Sequence, residues 1–595
     1  MNFFRFKSAS YDLRFKLCLI LAIFALCGSI ATAQITNLRI GDTNDPSGIA
    51  NGSAIAPAFT TAGIYGLKPT DSSSYFITAQ KGSTLTFLNN SLNNGIVTLN
   101  ATPLAKSFSL IFADGTLHRL PSSVNLNGNF IITLSTNDKV DRNWDYTVNG
   151  IGVTNGATFT AQPNAKLTGN KGFLGIKIAS ANATFKTNDF RLNGIYVDKN
   201  STANIASPLS INIERTNTEG QTYGIFAAGK VKITKDVDIK MFDKTKEETP
   251  GMGKYVAGIT GNVNIESENI NIYAETSIPN APICGYWGGW TDNYSADNTP
   301  HSAYFNAKKI KITTTYTSGV KGNRSIAIVL GDGSKADVNY GANGKDLGNI
   351  VQLDGHILSI DKSVLNVNLT NKDSYLKGMF AQVNLDGEYP GTLNLLFSNN
   401  ATWYVGDYMG EAKENLYYKT NSANVTFNGA VIDLAWKGKL LPENTRQGIE
   451  YRAMNLDDAI LKATNTLVVN TDISNGKSDS LGIQSVRRGS DTTAVINVSV
   501  AADPLLKTYV DSNATGAVTY AYKNAKPLAM SIQNTGQTII RAAGVENIVT
   551  MGNDKYKITP TVETISNRLS VAIYITGLKI EKVRVLPGRT QFIKQ

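Results

Sequence analysis

The chain has few residues that could carry acid–base or metal chemistry. It contains only three histidines, His118, His301 and His356. None of them stands in an H-E-x-x-H motif or in a comparable spacing that would place two imidazoles on one zinc ion. We therefore expect surface histidines on strands or loops, no catalytic site, no metal site and no bound cofactor.

Two possible nucleophiles lack the sequence context that nucleophilic catalysis requires. The segment Gly331-Asp332-Gly333-Ser334 does not follow the order G-D-S-G-S of a serine-protease nucleophile, and no G-x-S-x-G elbow is present. Cys284 lies in the segment 281–287, which contains no catalytic motif. We expect Cys284 to be a buried structural residue, and we expect no protease or esterase chemistry.

Carboxylates could serve as catalytic pairs or as calcium ligands. Asp354, Asp361, Asp373 and Asp386 are near one another in sequence, but no D-D or D-x-D pair is expected on a strand. Paired carboxylates would be needed for glycan hydrolysis. The segment 42–48 has acidic residues before a glycine but lacks the terminal glutamate of a calcium loop. The segment 42–48 is predicted to be a turn, and the four aspartates need not share a face, because neighbours in the sequence of a solenoid can point in different directions.

The chain is basic overall, with a net charge of +10. The segment 1–33 contains Arg5, Lys7, Arg14 and Lys16 against Asp12, so a charge of +7 remains for the rest of the chain. That charge is spread thinly and does not form a basic patch interleaved with aromatic residues. Nucleic-acid binding is therefore not expected.

The N-terminus has the three parts of a secretory signal peptide. The basic residues precede an apolar run, Leu17–Ile30, and Ala31-Thr32-Ala33 forms an A-x-A cleavage site before Gln34. The run is shorter than the ~18 residues of a membrane span. We predict a cleaved signal peptide over residues 1–33 and export of the remainder. An uncleaved anchor and a lipoprotein attached at Cys27 are the alternatives.

The composition and residue pattern of the rest of the chain predict many short strands. Charged residues make up only 17%, below the ~25% of ordinary soluble proteins, and glycine is abundant. Apolar and polar residues alternate in short runs, which puts the apolar side chains on one face of a strand. Examples are Val231-Lys-Ile233, Val263-Asn-Ile265, Ile270-Asn-Ile272 and Ile310-Lys-Ile312.

Part of this pattern recurs at long range. Gly224-Ile225 precedes one set of these runs, and Gly258-Ile259 precedes a second set at nearly the same offset throughout. Weaker echoes are 175–178 and 211–213. A period of about 30 residues is typical of solenoids.

We predict an all-β fold, a right-handed parallel β-helix over residues 34–397. Coils of roughly 20 to 35 residues would number on the order of 10 to 18. Immunoglobulin-like sandwiches and an outer-membrane barrel are the alternatives, and both lack their periodic signatures here.

A more specific motif begins near residue 400. Asn400-Ala-Thr-Trp403 is followed by the apolar strand pair 423–434 and then by 466–481, which contains V-x-N-T-D-x-x-x-G-x-S-D-x-L. This order resembles the C-terminal part of pertactin-type autotransporter passengers over roughly Ser398 to Val562. The resemblance implies a capping region over residues 398–565 that nucleates folding after export. Trp403 is expected to seal the end of the core, and turns are expected at Asn470, Asp472, Asn475, Gly476 and Asp479.

The resemblance also implies a localisation and a function. Autotransporter passengers are exported by type V secretion to the outer membrane or cell surface, and many are adhesins. We therefore expect a non-enzymatic, adhesin-like protein whose partners are host cells, matrix or sister bacteria. The alternatives are a carbohydrate-active lyase or hydrolase on the same scaffold, and a truncated, non-functional fragment confined to the periplasm.

The sequence departs from that family at its C-terminal end. Residues 566–595 are expected to form a short basic tail, where an autotransporter continues into a translocator barrel. Truncation, a frameshift and a separately encoded outer-membrane translocator are the three explanations that the sequence leaves open.

Overall fold

A computed structural model describes the chain over twenty-five ranges. They are residues 38–40, 53–55, 63–67, 75–80, 84–88, 96–101, 108–115, 122–136, 146–163, 172–180, 190–216, 220–244, 256–277, 282–289, 300–316, 325–341, 345–384, 389–405, 423–436, 451–472, 476–502, 517–521, 526–551, 554–567 and 569–583. The expected signal peptide, residues 1–33, lies outside the described residues.

Every regular element in these ranges is a β-strand. The strands of the N-terminal third are β1 (Leu38–Ile40), β2 (Ser53–Ile55), β3 (Gly63–Leu67), β4 (Tyr75–Gln80), β5 (Thr84–Leu88), β6 (Val97–Ala101), β7 (Phe108–Asp114), β8 (Ser123–Asn127), β9 (Asn129–Thr136), β10 (Tyr146–Thr154), β11 (Thr158–Gln162), β12 (Phe173–Ser180), β13 (Phe190–Val197) and β14 (Thr202–Ile205). The central strands are β15 (Leu209–Arg215), β16 (Gln221–Ile233), β17 (Val237–Asp243), β18 (Val256–Thr276), β19 (Ile283–Gly288), β20 (Ser302–Tyr316), β21 (Ser325–Leu330), β22 (Lys335–Val338), β23 (Ile350–Asp354), β24 (His356–Ile360), β25 (Val364–Leu369), β26 (Tyr375–Gly378), β27 (Phe380–Val383) and β28 (Thr392–Ser398). The C-terminal strands are β29 (Thr402–Val405), β30 (Asn424–Asn428), β31 (Val431–Asp433), β32 (Ala453–Lys462), β33 (Thr464–Asp472), β34 (Lys477–Ser478), β35 (Ser480–Val486), β36 (Thr493–Ala502), β37 (Val518–Ala521), β38 (Leu528–Gln533), β39 (Ile539–Gly544), β40 (Asn547–Met551), β41 (Asp554–Ser566) and β42 (Ser570–Val583).

The strands are joined into three parallel ladders that run side by side along the chain. The first ladder contains β1, β4, β7, β10, β13, the first parts of β16 and β18, β19, β21, β24 and β27. The second contains β2, β5, β8, β11, β14, later parts of β16 and β18, the first part of β20, β22, β25, β28, β30 and the end of β32. The third contains β3, β6, β9, β12, β15, β17, the ends of β18 and β20, β23, β26, β29, β31, β33, β36 and β39.

This arrangement confirms the predicted parallel β-helix, in which each turn of the chain adds one strand to each ladder. We call one such turn a rung. The repeat seen in the sequence is the spacing between partners on neighbouring rungs, because Ile225 pairs with Ile259 and Val231 with Val263.

Rung lengths vary more than expected. In the first ladder Ile357 pairs with Phe380, whereas Ile151 pairs with Ile195, so the rung that starts at Ile151 is nearly twice as long. The connections between strands differ in length, and they absorb this variation while the ladders stay in register. The right hand of the coil, which crossover connections favour, stays a prediction.

The core is built from columns of inward side chains, one residue per rung. The third ladder carries an apolar column in which every member is at most 2% exposed. Parallel pairing places each member directly above the last. In order its members are Leu99, Ile132, Ile176, Ile211, Ile239, Ile272, Ile312, Leu353, Leu376, Trp403, Ile432, Leu467 and Val498.

Glycine allows the first ladder to approach this column closely. Five successive rungs of the first ladder carry a glycine at the same position. A Cβ atom on Gly224 would lie 2.4 Å from the carbonyl oxygen of Gly258 and 2.7 Å from Cγ2 of Ile239. The backbone of the first ladder therefore packs directly against isoleucine side chains of the third ladder. Only glycine leaves room for this contact, which explains why a glycine precedes each copy of the repeat.

Trp403 lies inside the solenoid, and the expectation that it seals the end of the core is wrong. Its side chain is fully buried, its Nε1–H donates to the carbonyl oxygen of Gly378 at 2.9 Å, and its ring centroid is 4.7 Å from that of Phe380. Leu376, which precedes residue 397, pairs with Trp403, which follows it. The strands β31, β33, β36 and β39 continue the same ladder. The hydrogen-bonded ladders therefore cross the boundary proposed at residue 397.

The coil ends in an antiparallel sheet. The strands β32, β35 and β38 continue in parallel, and β42 then pairs antiparallel with β38, β37 and β41, while β40 pairs with β41. An exposed strand edge offers unpaired backbone groups to other chains, and β42 covers the edge of β38. The covering strand lies within the segment 566–595 that was expected to be a tail. That this region nucleates folding stays a prediction.

Replacing Gly224 by alanine is expected to destabilise the solenoid by about 1–3 kcal/mol, because the added methyl group overpacks against backbone atoms that cannot rotate away. Urea unfolding followed by circular dichroism would measure the loss. Gly175→Ala is the matched control, since its Cβ would meet only side-chain atoms, at 3.0 Å from the Phe173 ring and 3.1 Å from Ile131. Equal midpoints for the two variants would contradict the close approach of the ladders.

Candidate functional site

Two of the three histidines are buried, so the prediction of surface histidines is wrong for them. His301 and His356 are 5% and 3% exposed. The Nδ1 atom of His356 accepts a hydrogen bond from the backbone N–H of Met379 at 2.9 Å, and Nδ1 of His301 accepts from Gly289 at 3.1 Å. Burial lowers the pKa of both imidazoles, that of His356 to about 4. Both residues thus fasten neighbouring backbone segments as neutral groups. His118 lies outside the described residues.

The two possible nucleophiles are also used structurally. Ser334 is fully buried, and its hydroxyl accepts a hydrogen bond from the backbone N–H of His301 at 2.9 Å, whereas a catalytic serine would contact an imidazole nitrogen. Cys284 is buried as predicted, and desolvation raises the pKa of its thiol to about 12. A thiol with such a pKa is a poor nucleophile at neutral pH.

The three described members of the aspartate set lie on different elements. Asp354 ends β23, whereas Asp361 and Asp373 lie in turns, and Asp386 is outside the described residues, as is the segment 42–48. Within the described ranges no group of three or more histidine, cysteine, aspartate or glutamate side chains could hold a metal ion.

One aspartate pair lies on a strand, contrary to the expectation of none, and a second pair has one member on a strand. Asp457 and Asp458 are adjacent in β32, and Asp238 in β17 follows shortly after Asp236. Asp458 forms an ion pair with Arg487 at 2.5 Å. Asp236 accepts hydrogen bonds from both the backbone and the side chain of Asn269, one rung away. These carboxylates therefore connect neighbouring rungs.

The motif in the segment 466–481 connects the start of one strand to the end of another. The buried carboxylate of Asp479 accepts hydrogen bonds from the backbone N–H groups of Asn470 at 2.7 Å and Arg452 at 2.8 Å. The strands β33 and β34 pair antiparallel, with Thr471 opposite Ser478. Of the residues expected in turns, Gly476 lies in a turn, whereas Asn470 and Asp472 belong to β33, so the expectation is wrong for those two. Among the residues expected in turns, Asn475 lies outside the described residues.

Asp433 has the most perturbed carboxylate near this motif. Burial raises its pKa to about 6, opposed by the backbone N–H groups of Ala435 and Trp436 and by the charge of Arg452. Its Oδ1 atom is buried and accepts no hydrogen bond from any described residue. The guanidinium of Arg452 donates to the carbonyl oxygens of Leu434, at 2.7 Å, and of Trp436.

Next to Asp433, two aromatic rings lie on consecutive rungs of the outer face of the third ladder, and a third ring belongs to Trp436, which follows the end of β31. We call Tyr375, Tyr404 and Trp436 the aromatic platform. The Tyr375 and Tyr404 ring centroids are 5.9 Å apart, and those of Tyr404 and Trp436 are 5.7 Å apart. The ammonium of Lys377 lies 4.7, 5.7 and 5.8 Å from the three centroids.

The aromatic platform lies between two carboxylates. Register pairing places Asp354, Lys377, Tyr404 and Asp433 on four successive rungs at the same position. Burial raises the pKa of Asp354, while Lys377 and Lys311 oppose this shift. The face thus combines apolar ring surface, one central cation and an acid at each end.

A second outward column, on the second ladder, is an amide ladder. Asn424, Asn394 and Asn366 each donate a side-chain N–H to the oxygen of the residue one rung earlier, all at 2.7 Å, and the last acceptor is Asp337. At the other end Arg487 donates to Asn424. A row of amides needs an acceptor at one end and a donor at the other, and the two charged residues supply them.

The sequence matches no protein-family model and no curated protein. The described part of the chain contains no helix that is long and apolar enough to cross a membrane. Function must therefore be inferred from the residues and their geometry.

His356→Asn is expected to make the protein less sensitive to acid. The folded-state pKa of His356, about 4, is below the ~6.5 of an unfolded histidine, so its stabilising contribution is complete above pH 6.5 and is lost as the pH falls towards 4. The full effect is about 3 kcal/mol. Asparagine retains an acceptor for Met379 but does not titrate.

Urea midpoints of both proteins between pH 7.5 and 4 would measure this difference. His301 is present in both proteins, so its own titration cancels. Parallel pH profiles for the native chain and the variant would show that His356 is protonated without cost, which would contradict its burial as a neutral group.

Proposed function

We propose that this chain is the exported passenger of a pertactin-like autotransporter and that it acts at the cell surface as a non-enzymatic contact protein. The observation that carries the proposal is the parallel β-helix with outward columns of side chains repeated rung by rung. A signal-like N-terminus and the motif between residues 398 and 562 support the same function.

An extended solenoid is suited to multivalent contact. The third ladder has fifteen strands in the described residues, which at ~4.8 Å per step gives a length of roughly 67 Å. Outward side chains recur at the same position on each rung, so a repetitive surface opposite could be contacted at several points. Several weak contacts then combine into strong overall attachment.

Four described carboxylates have a raised pKa: Asp354, Asp433, Asp457 and Asp479. Asp479 interacts with Asp433, but both of its oxygens accept backbone hydrogen bonds, which favours a structural role over glycan cleavage. Asp354 and Asp433 are three rungs apart, which corresponds to ~14 Å, whereas paired glycosidase carboxylates are ~5 to 9.5 Å apart. A polar, partly aromatic outer face supports binding without requiring catalysis.

Location is the property that tests this proposal most sharply. The gene is expressed in its own host, and intact cells are labelled with a membrane-impermeant biotin reagent. We expect the chain to be labelled and to begin at Gln34, while a periplasmic marker protein in the same cells stays unlabelled. Loss of attachment to host cells or to sister cells on deletion of the gene would follow.

Two outcomes would contradict the proposal. A chain that is labelled only after the outer membrane is opened is not a surface protein. Turnover of a polysaccharide by the purified chain would overturn the non-enzymatic part and favour a lyase or hydrolase on the same scaffold.

A further inference from the structure

We propose that the aromatic platform binds a neutral oligosaccharide lying along the axis of the solenoid. The inference rests on the proposed contact function and names the chemistry of the surface that is contacted. It starts from Tyr375 and Tyr404, which lie on consecutive rungs of one outward face, and from Trp436, whose ring centroid is 5.7 Å from that of Tyr404.

Three partly exposed aromatic rings in a row stand out on a polar solenoid face. Elsewhere on the third ladder, apolar and polar residues alternate along the strands, so the outward side chains are mostly hydrophilic. Phe242 and Tyr273, which form a pair of outward rings, are an exception. Each platform residue is partly accessible and combines a flat apolar ring with a polar O–H or N–H group. The faces of pyranose rings present C–H groups that pack on such rings, while their hydroxyls reach the polar edge.

The spacing favours a chain of sugars over a single small ligand. Tyr375 and Tyr404 differ by one rung, and neighbouring ring centroids of the platform are 5.9 and 5.7 Å apart. A ligand that repeats along its length can place successive units on successive rings.

Charge favours a neutral ligand. An acidic sugar would meet Asp354 at one end of the column and Asp433 at the other. A cationic ligand would compete with Lys377, whose ammonium already lies against all three rings. Lys311 and Arg452 also flank the column, and Arg452 is engaged by backbone carbonyl oxygens.

The same groups supply hydrogen bonds to sugar hydroxyls. Exposed cation–π contacts are weak, so the flexible side chain of Lys377 can leave the rings and donate to a hydroxyl oxygen. Gln352 pairs with Tyr375 one rung away, and its amide both donates and accepts. Hydroxyls can donate to the carboxylate of Asp354, which is half-buried at the edge of the platform.

Titration calorimetry on the purified full-length mature chain tests the proposal with cellotetraose, maltotetraose and chitotetraose as neutral probes. At least one is expected to bind, and Tyr404→Ala is expected to weaken that binding at least tenfold. The matched control is Tyr389→Ala. Tyr389 is an exposed tyrosine with Lys362 5.5 Å from its ring centroid, away from the platform, and its loss should leave the affinity unchanged.

Trp436→Leu is a second variant, and thermal midpoints establish that each protein is folded. Failure of all three probes to bind, or an equal affinity in Tyr404→Ala, Trp436→Leu and Tyr389→Ala, would overturn the proposal. Tighter binding of a sialylated or uronic-acid oligomer than of every neutral probe would also overturn it.

The two proposals fail in different ways. If the purified chain binds a neutral probe through Tyr404 but intact cells expose no chain, the surface function fails and the binding site stands. If cells carrying Tyr404→Ala and Trp436→Leu attach as well as native cells, the surface function stands and the glycan site is wrong.

Discussion

Register between neighbouring rungs is the constraint on which the rest of this structure depends. Parallel backbone hydrogen bonds place each residue directly above its partner, and a shift by one residue would turn every inward side chain outward. A column can therefore contain only one kind of environment over many rungs. The isoleucine column of the third ladder, the glycine column of the first and the amide ladder of the second are three results of that single constraint.

The same constraint explains where polar groups are tolerated. An outward amide has an equivalent neighbour one rung away, so Asn366 and Asn394 satisfy each other, and charged residues are needed only at Asp337 and Arg487, where the row ends. Several buried polar groups lie at or next to the ends of strands. His356 and Asp479 are buried at such places, and each accepts hydrogen bonds from backbone N–H groups that a neighbouring rung leaves unpaired. At the last rung, the antiparallel strand β42 pairs with backbone groups of β38.

Much of the fold could be predicted from the sequence because the alternation and the repeat are local signals. The echo between Ile225 and Ile259 is the rung spacing itself, and it could be recognised because Val231 and Val263 repeat at nearly the same offset. The columns of side chains on the outer face could not be predicted from the sequence. Tyr375 and Tyr404 are far apart in sequence, and without register no signal indicates that they meet. The burial of His301 and His356 was missed for the same reason, since which face a strand residue occupies depends on the ladder it joins. The role of β42 was missed because antiparallel pairing at the end follows a different rule from the coil.

The central claim is that each rung advances along the solenoid axis by the distance between two neighbouring strands. Distances between spin labels test this claim most directly. One label at Asn212→Cys is combined with a second at Asp354→Cys or at Tyr404→Cys, in a mature chain with Cys284→Ser. The register places these partners four and six rungs away in the same column. The account predicts backbone separations of ~19 and ~29 Å, a difference of two rungs. Distances that do not increase in proportion to the number of rungs, or that are the same for both pairs, would contradict it.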